Sequence, residues 1–290
     1  LTPSPLLCTS MMGAAAIVKA GSEAQREEIL PGIANGDRLL ALACDESPRH
    51  APQKVNTNVI KKGASFRING KKVAVADGHF ADMFIVSART GSEISLFLVP
   101  AQASGVTVEP YRVLDTHFAA NVSFDQVEVK EDDLLGVLDG GTRTLNYALD
   151  VGRVGVSAEL LGIALEAFER TIDYLKERKQ FGVTIGSFQA LQHRAAHLFA
   201  EIEMCKSLVI KVLQTLDNSS DGVAELVSLT KAKLAETAHL ATTEAIQMHG
   251  GIGMTDDFDI GFFLKRCRIL ESLFGDQYFH LDRFAGERGY

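Results

Sequence analysis

Apolar positions along this chain change their spacing twice, and each change predicts a boundary between two kinds of structure. Over residues 4 to 34 they fall at helical spacing. The run Met11 to Val18 is closed by Gly21, and Ser22-Glu23-Ala24-Gln25 opens a second amphipathic turn with the serine and glutamine of a capping box. From residue 38 to 130 the period shortens to two. Phe66, Ile68, Val73 and Val75 flank Asn69-Gly70, and that dipeptide between alternating apolar residues predicts a hairpin turn. Strand-like runs follow at Met83 to Ser87, Ile94 to Val99, Val106 to Val113 and Val122 to Val129, which reads as a small antiparallel β domain.

Beyond Gly140-Gly141 the helical period returns. Leu161, Leu165, Phe168, Ile172 and Leu175 share one stripe, a second runs from Phe188 to Leu216, and Val227, Leu234, Ala238, Ala241, Ala245 and Met248 form a third. Asp217 to Gly222 is the expected turn between the second and third helices, and a fourth helix is expected over Ile260 to Arg288. The expected class is α+β. It divides into a helical part over residues 1–37, a middle β domain over 38–131 and a C-terminal four-helix bundle over 132–290.

Composition narrows the choice of partners. With 290 residues, 46% of them hydrophobic and 23% charged, the chain can bury one large core or two medium ones. A net charge of -8 with no cluster of Lys and Arg argues against nucleic acid and against an anionic membrane surface. Cys8, Cys44, Cys205 and Cys267 are far apart and lack metal-ligand spacing, so reduced thiols in a cytoplasm and no metal site are expected. The apolar run near Met11 is too short to span a bilayer and lacks the flanks of a signal peptide. None of the eight histidines belongs to a nucleophile signature, which leaves hydrolase chemistry unsupported.

Two clusters carry candidate chemistry: Glu177-Arg178-Lys179-Gln180-Phe181-Gly182 with Phe188-Gln189, and Gln247-Met248-His249-Gly250-Gly251-Ile252-Gly253. Each has a purely structural explanation. Cations at a helix C-terminus complement its dipole, and a glycine pair can simply stop a helix. Their order and spacing, with the sequence of helices, β domain and bundle, resemble the acyl-CoA dehydrogenase superfamily over essentially the whole chain.

The resemblance implies FAD as cofactor. Arg178 would reach its pyrophosphate, Gln180 and Phe181 would line its extended tail, and Gln189 would close the site. Gln247, Gly250 and Gly251 would bring backbone close to the nucleotide. It also implies an acyl-CoA substrate, an electron-transfer flavoprotein as electron acceptor, and more helix ahead of Leu1 than residues 1–37 supply. A guanidinium suits a pyrophosphate because its fork of donors matches phosphate oxygens and it never loses its charge.

The same resemblance exposes departures. Where the family has a Thr-Glu-Pro-x-x-Gly-Ser-Asp segment facing flavin and thioester, this chain reads Cys44 to Pro52, and where it has an aromatic-led strand the chain reads Ala74-Val75-Ala76-Asp77-Gly78. Its usual glutamate base corresponds to Gly275, and the position used by a minority of members corresponds to Gly152. Asp150, Glu271 and Asp276 are nearby carboxylates, with Asp150 the candidate for a displaced base.

The expected function is a non-catalytic subunit of a hetero-oligomer acting on an acyl-CoA thioester, as in lipid or steroid side-chain degradation. An acyl-CoA dehydrogenase paralogue would supply the glutamate. A homo-oligomeric enzyme using a displaced carboxylate, or a flavin-free assembly subunit, are the alternatives.

Overall fold

The computed structural model describes residues 1–63, 65–218 and 221–290. Residue 1 aside, it divides into two compact units, Thr2–Gly152 and Arg153–Tyr290.

The first unit begins with a π-helical stretch Leu6–Gly13 that continues into α1 (Ala14–Ala20), followed by α2 (Glu23–Asn35). Ser22 and Gln25 form the expected capping box, and Gly36, with φ 80, ends α2 in the left-handed conformation. Side chains tie these helices to the sheet. Thr9 Oγ1 accepts from Leu40 N (3.0 Å) and donates to Leu40 O (3.1 Å). Gln25 Nε2 donates to the carbonyls of Asp132 and Leu134.

The sheet contains β1 (Leu40–Ala43), β2 (Asn58–Lys62), β3 (Ser65–Ala76), β4 (Met83–Arg89), β5 (Ile94–Pro100), β6 (Val106–Arg112) and β7 (Phe118–Lys130). Its order is β1-β4-β2-β3-β7-β6, with β5 also paired to β4. Most pairs are antiparallel, but β1 runs parallel to β4 and β2 meets β4 in parallel, so the sheet is mixed, not purely antiparallel as expected. Alternate residues fill one apolar core, including Ile68, Phe84, Phe97, Val122 and Val127. Each such buried side chain contributes about 1.5–3 kcal/mol relative to exposure.

The hairpin expected at Asn69-Gly70 is not there. Both residues lie inside β3, whose pairing with β2 runs from Asn69 opposite Asn58 to Ser65 opposite Lys62. A Cβ on Gly70 would sit 2.7 Å from Thr57 Cα, so the glycine is needed for close backbone approach. Asn69 Oδ1 accepts from Gln126 N (2.9 Å) and so closes the bulge between Ile68 and Gly70. A second register shift follows between Lys72 and Val75, where Ala74 has φ 51. Lys72, not Val73, keeps the buried phase of Phe66 and Ile68, and its ammonium donates to Glu46 (2.7 Å), Ser87 (3.0 Å) and the Cys44 carbonyl (3.3 Å).

The second unit is helical. The unit boundary falls within α3 (Gly141–Glu177); α4 (Gln189–Asp217), α5 (Val223–His249), α6 (Ile260–Ser272) and α7 (Gln277–Glu287) follow. The single fourth helix expected over Ile260 to Arg288 is therefore two, broken at Leu273–Asp276 because Phe274 and Gly275 take φ values of 58 and 112. Every expected residue of the α5 stripe is buried. On α3 the buried face is Leu160, Ile163, Ala164, Ala167, Thr171 and Leu175, while the expected Leu161, Leu165, Phe168 and Ile172 are half-buried beside it. Of the expected turn at Asp217 to Gly222, Ser219 and Ser220 lie outside the described residues. Among the described residues, no helix is long and apolar enough to cross a membrane.

Candidate functional site

Arg178 follows the last residue of α3. Its N-H donates to Tyr174 O (2.8 Å), closing the final turn, and its carbonyl accepts from Ile185 N (2.8 Å). Between those bonds stands a small hairpin, β8 (Lys179–Gln180) against β9 (Val183–Thr184). Its two-residue loop is Phe181 (φ 55) and Gly182 (φ 81), the left-handed pair such a tight hairpin requires. A bulky residue at positive φ is strained by roughly 1–2 kcal/mol, so Phe181 occupies the tip against local preference. It is 90% exposed and meets the ring of Phe188 edge-on at 6.1 Å. Gln180 and Gln189, the first residue of α4, are also exposed.

The second cluster ends α5. Met248 and His249 are buried, Gln247 is exposed, and Gly250 breaks the helix at φ 66. A Cβ on Gly250 or Gly251 would meet nothing within 4 Å, whereas one on Gly253 would lie 2.7 Å from the Ile246 carbonyl. Gly253 thus serves packing, and the preceding pair presents open backbone.

Tyr174 joins the two clusters. Its ring stacks on His249 at 4.4 Å and its hydroxyl donates to the His249 carbonyl (3.3 Å). Phe258 packs on the other ring contact of His249, at 4.7 Å. Tyr174 is four residues before Arg178 and His249 directly precedes Gly250, so the ends of α3 and α5 are pinned together and both motifs share one end of the bundle. His249 Nδ1 donates to the Ala245 carbonyl (2.7 Å), and burial holds the ring below its ordinary pKa. The sequence motifs do not include Tyr174, and His249 enters them only as a member of the second cluster. The signal at Tyr174 is an aromatic side chain one helical turn before Arg178.

The positions of the expected base look different. Gly275 lies in the α6–α7 turn, not within a helix. Lys231 Nζ donates to the carbonyls of Leu270 (2.9 Å), Glu271 (3.1 Å) and Gly275 (3.2 Å), and Arg153 Nε donates to that of Phe274 (3.0 Å). Burial, reinforced by the Arg153 charge, pushes Lys231 down to about 7.

The neighbouring carboxylates are occupied. Asp276 caps α7 by accepting from Phe279 N (2.8 Å), and Glu271 accepts from His239 (3.0 Å) and Arg268 (2.9 Å). In the first unit Gly152 is buried, and a Cβ there would lie 2.9 Å from Met12 Cε. Asp150, also buried, sits two residues earlier on α3.

Segment Cys44 to Pro52 folds onto itself. Asp45 bonds His50 Nδ1 (2.7 Å) and accepts from Ala51 N (3.0 Å). Glu46 accepts from the backbone of Asn56 and Thr57 and from Lys72. Burial alone would raise the Glu46 pKa, but the hydrogen bond and charge of Lys72 bring it below the ordinary value. These polar groups are consumed by the loop's own closure.

Comparison with known proteins agrees with this architecture. The acyl-CoA dehydrogenase middle-domain profile matches residues 46–127 and the C-terminal-domain profile matches residues 139–286. The chain is 30% identical over 270 residues to the probable acyl-CoA dehydrogenase YngJ of Bacillus subtilis, covering 90% of this chain and 71% of that protein. It is 28% identical to the CarC subunit of the caffeyl-CoA reductase-Etf complex of Acetobacterium woodii, covering 87% of this chain and 69% of CarC. A variant of the steroid ACAD Tcur3481-Tcur3483 superposes with a TM-score of 0.88 at 29% identity, covering 98% of this chain and 76% of that one.

Proposed function

The chain belongs to the acyl-CoA dehydrogenase family, and we propose that it is the non-catalytic subunit of a hetero-oligomer, completing the ADP half of an FAD site in a paralogue that carries the glutamate. The cofactor implied by the family is FAD, which when bound accepts the β hydrogen of an acyl thioester as hydride. The residues fit its nucleotide half: an exposed guanidinium at Arg178, three exposed glutamines (Gln180, Gln189 and Gln247), and an open glycine backbone at Gly250-Gly251 gathered at one end of the bundle.

One observation carries the reading. The hairpin holds Phe181 in a strained conformation with 90% of its surface exposed, a placement that gains the chain's own fold little beyond an edge-on contact with Phe188. Arg178, Gln180 and Gln189 are exposed as well, which favours partners outside this unit. In contrast, the two positions where the family's base would stand are glycines, and Glu271 and Asp276 are bonded within the fold.

In this arrangement Arg178 binds the pyrophosphate and Phe181 excludes water beside the dinucleotide's tail, while the proton α to the thioester is taken by the partner's carboxylate. The substrate class is an acyl-CoA thioester. The steroid ACAD favours a bulky acyl group, and the kinship with CarC favours delivery of electrons to an electron-transfer flavoprotein.

The test is co-expression with an acyl-CoA dehydrogenase chain from the same source that retains the glutamate. The chain alone should purify without flavin and the pair should be yellow. Arg178→Ala should lower flavin content of the pair at least tenfold, since hydrogen bonds to a charged group contribute about 1.5–3 kcal/mol. Stoichiometric flavin and thioester oxidation by the chain alone would overturn the proposal.

A further inference from the structure

The two glycines at the expected base positions are not equivalent. Gly275 has φ 112, a conformation that disfavours any side chain, and a Cβ built there would lie 2.9 Å from His280 Nε2 and 3.0 Å from Phe279 Cε1. The turn around it cannot shift freely to make room. Four of its carbonyls, from Leu270 to Gly275, are held by the buried Lys231 and Arg153, and the Arg153 guanidinium lies over the Phe279 ring at 5.3 Å.

Gly152 is different on both counts. It lies within α3 without a left-handed φ, and what a Cβ would meet is the Met12 side chain, at Sδ (2.5 Å), Cε (2.9 Å) and Cγ (3.0 Å). An unbranched thioether with several rotatable bonds can move aside where a ring on a capped helix cannot.

We infer that the α6–α7 turn is a sealed structural joint built around glycine, and that residue 152 is the one of the two positions at which this chain can accept a carboxylate. This rests on the reading of both glycines as replaced bases. Loss of the base at 275 is then fixed by the fold, because a single substitution cannot restore it. The position on α3 stays open to refitting at the expense of one methionine.

Paired substitutions test the asymmetry in the full-length chain, with thermal unfolding as the readout. Gly275→Ala and Gly275→Glu should each lower Tm by about 5 °C or more, or prevent folding, and Phe279→Ala should not rescue Gly275→Ala, because the backbone strain remains. Gly152→Glu should cost less in a Met12→Ala background than in the native one, a positive coupling within the pair. A native Tm for Gly275→Ala, its rescue by Phe279→Ala, or no coupling between residues 12 and 152 would each overturn the inference. None of these readouts involves flavin. Failure here is therefore separable from failure of the cofactor reading, which Arg178→Ala tests alone.

Discussion

The hairpin at Arg178 and the turn at Gly275 lie in one helical unit and handle polar chemistry in opposite ways. At the hairpin, donors and an aromatic ring are left uncovered, and a Cβ on Gly250 or Gly251 after α5 would meet nothing within 4 Å. At the turn, basic side chains are buried to satisfy bare carbonyls, and the space a side chain would need is filled by Phe279. Groups that a fold does not use for its own cohesion remain available to a ligand or partner. Groups enclosed and fully bonded have been absorbed by the fold. By that criterion the Arg178 end of the bundle is a surface left open and the Gly275 turn is structure, which is the division that the proposed function needs.

Substitutions should therefore separate into two classes. The largest loss of stability is expected for Lys231→Ala, which strips donors from three carbonyls at once; a cost of about 3 kcal/mol in urea unfolding is expected. A near-neutral result would break the claim that the turn is held from within.

An effect that is smaller per pH unit sharpens the same point. Below pH 7 Lys231 is protonated in both folded and unfolded chains, and the penalty for burying its charge is fully present. Above that the folded form sheds the proton, while the unfolded chain keeps it up to about 10.5. Stability should therefore rise with pH across that window, by up to about 1.4 kcal/mol per pH unit from this group. Lys231→Met should flatten the rise, and unfolding curves at successive pH values would reveal whether it does.

The smallest stability effects belong to the open surface. Phe181→Ala should leave the chain's unfolding free energy within about 0.5 kcal/mol of native, as expected for an exposed position, while weakening flavin retention in the assembled pair. A large stability loss there would erase the distinction between the two regions.

A stripe was legible where apolar residues recur at helical spacing without larger apolar residues beside them. On α5 Val227, Leu234, Ala238, Ala241, Ala245 and Met248 recur in that way, while the buried Ser228, Thr230, Lys231, Thr237 and Thr242 beside them are polar and gave no sign of their burial. On α3 the inward Ala164, Ala167 and Thr171 are weakly hydrophobic, so the eye is drawn to the larger Leu161, Leu165 and Phe168 on the flank. Asn69-Gly70 misled because its chemistry serves two non-local needs, close approach to Thr57 and a bond to Gln126, that no local pattern records.

The break at Leu273–Asp276 was hidden for a related reason. Gly275 stood out as a missing carboxylate, and its backbone role became visible only through its φ. At the opposite extreme of exposure, Arg178 and Gly250-Gly251 were legible as motifs. The stacking of Tyr174 on His249 that gathers them required the fold.

One consequence follows from the two left-handed residues at the tip of the β8–β9 hairpin. With Phe181 and Gly182 already set in the loop geometry, little backbone freedom is left to surrender on encounter. Docking can then proceed as a rigid-body event, without a slow ordering step. Variation in this tip should appear in how long a complex persists more than in how fast it forms.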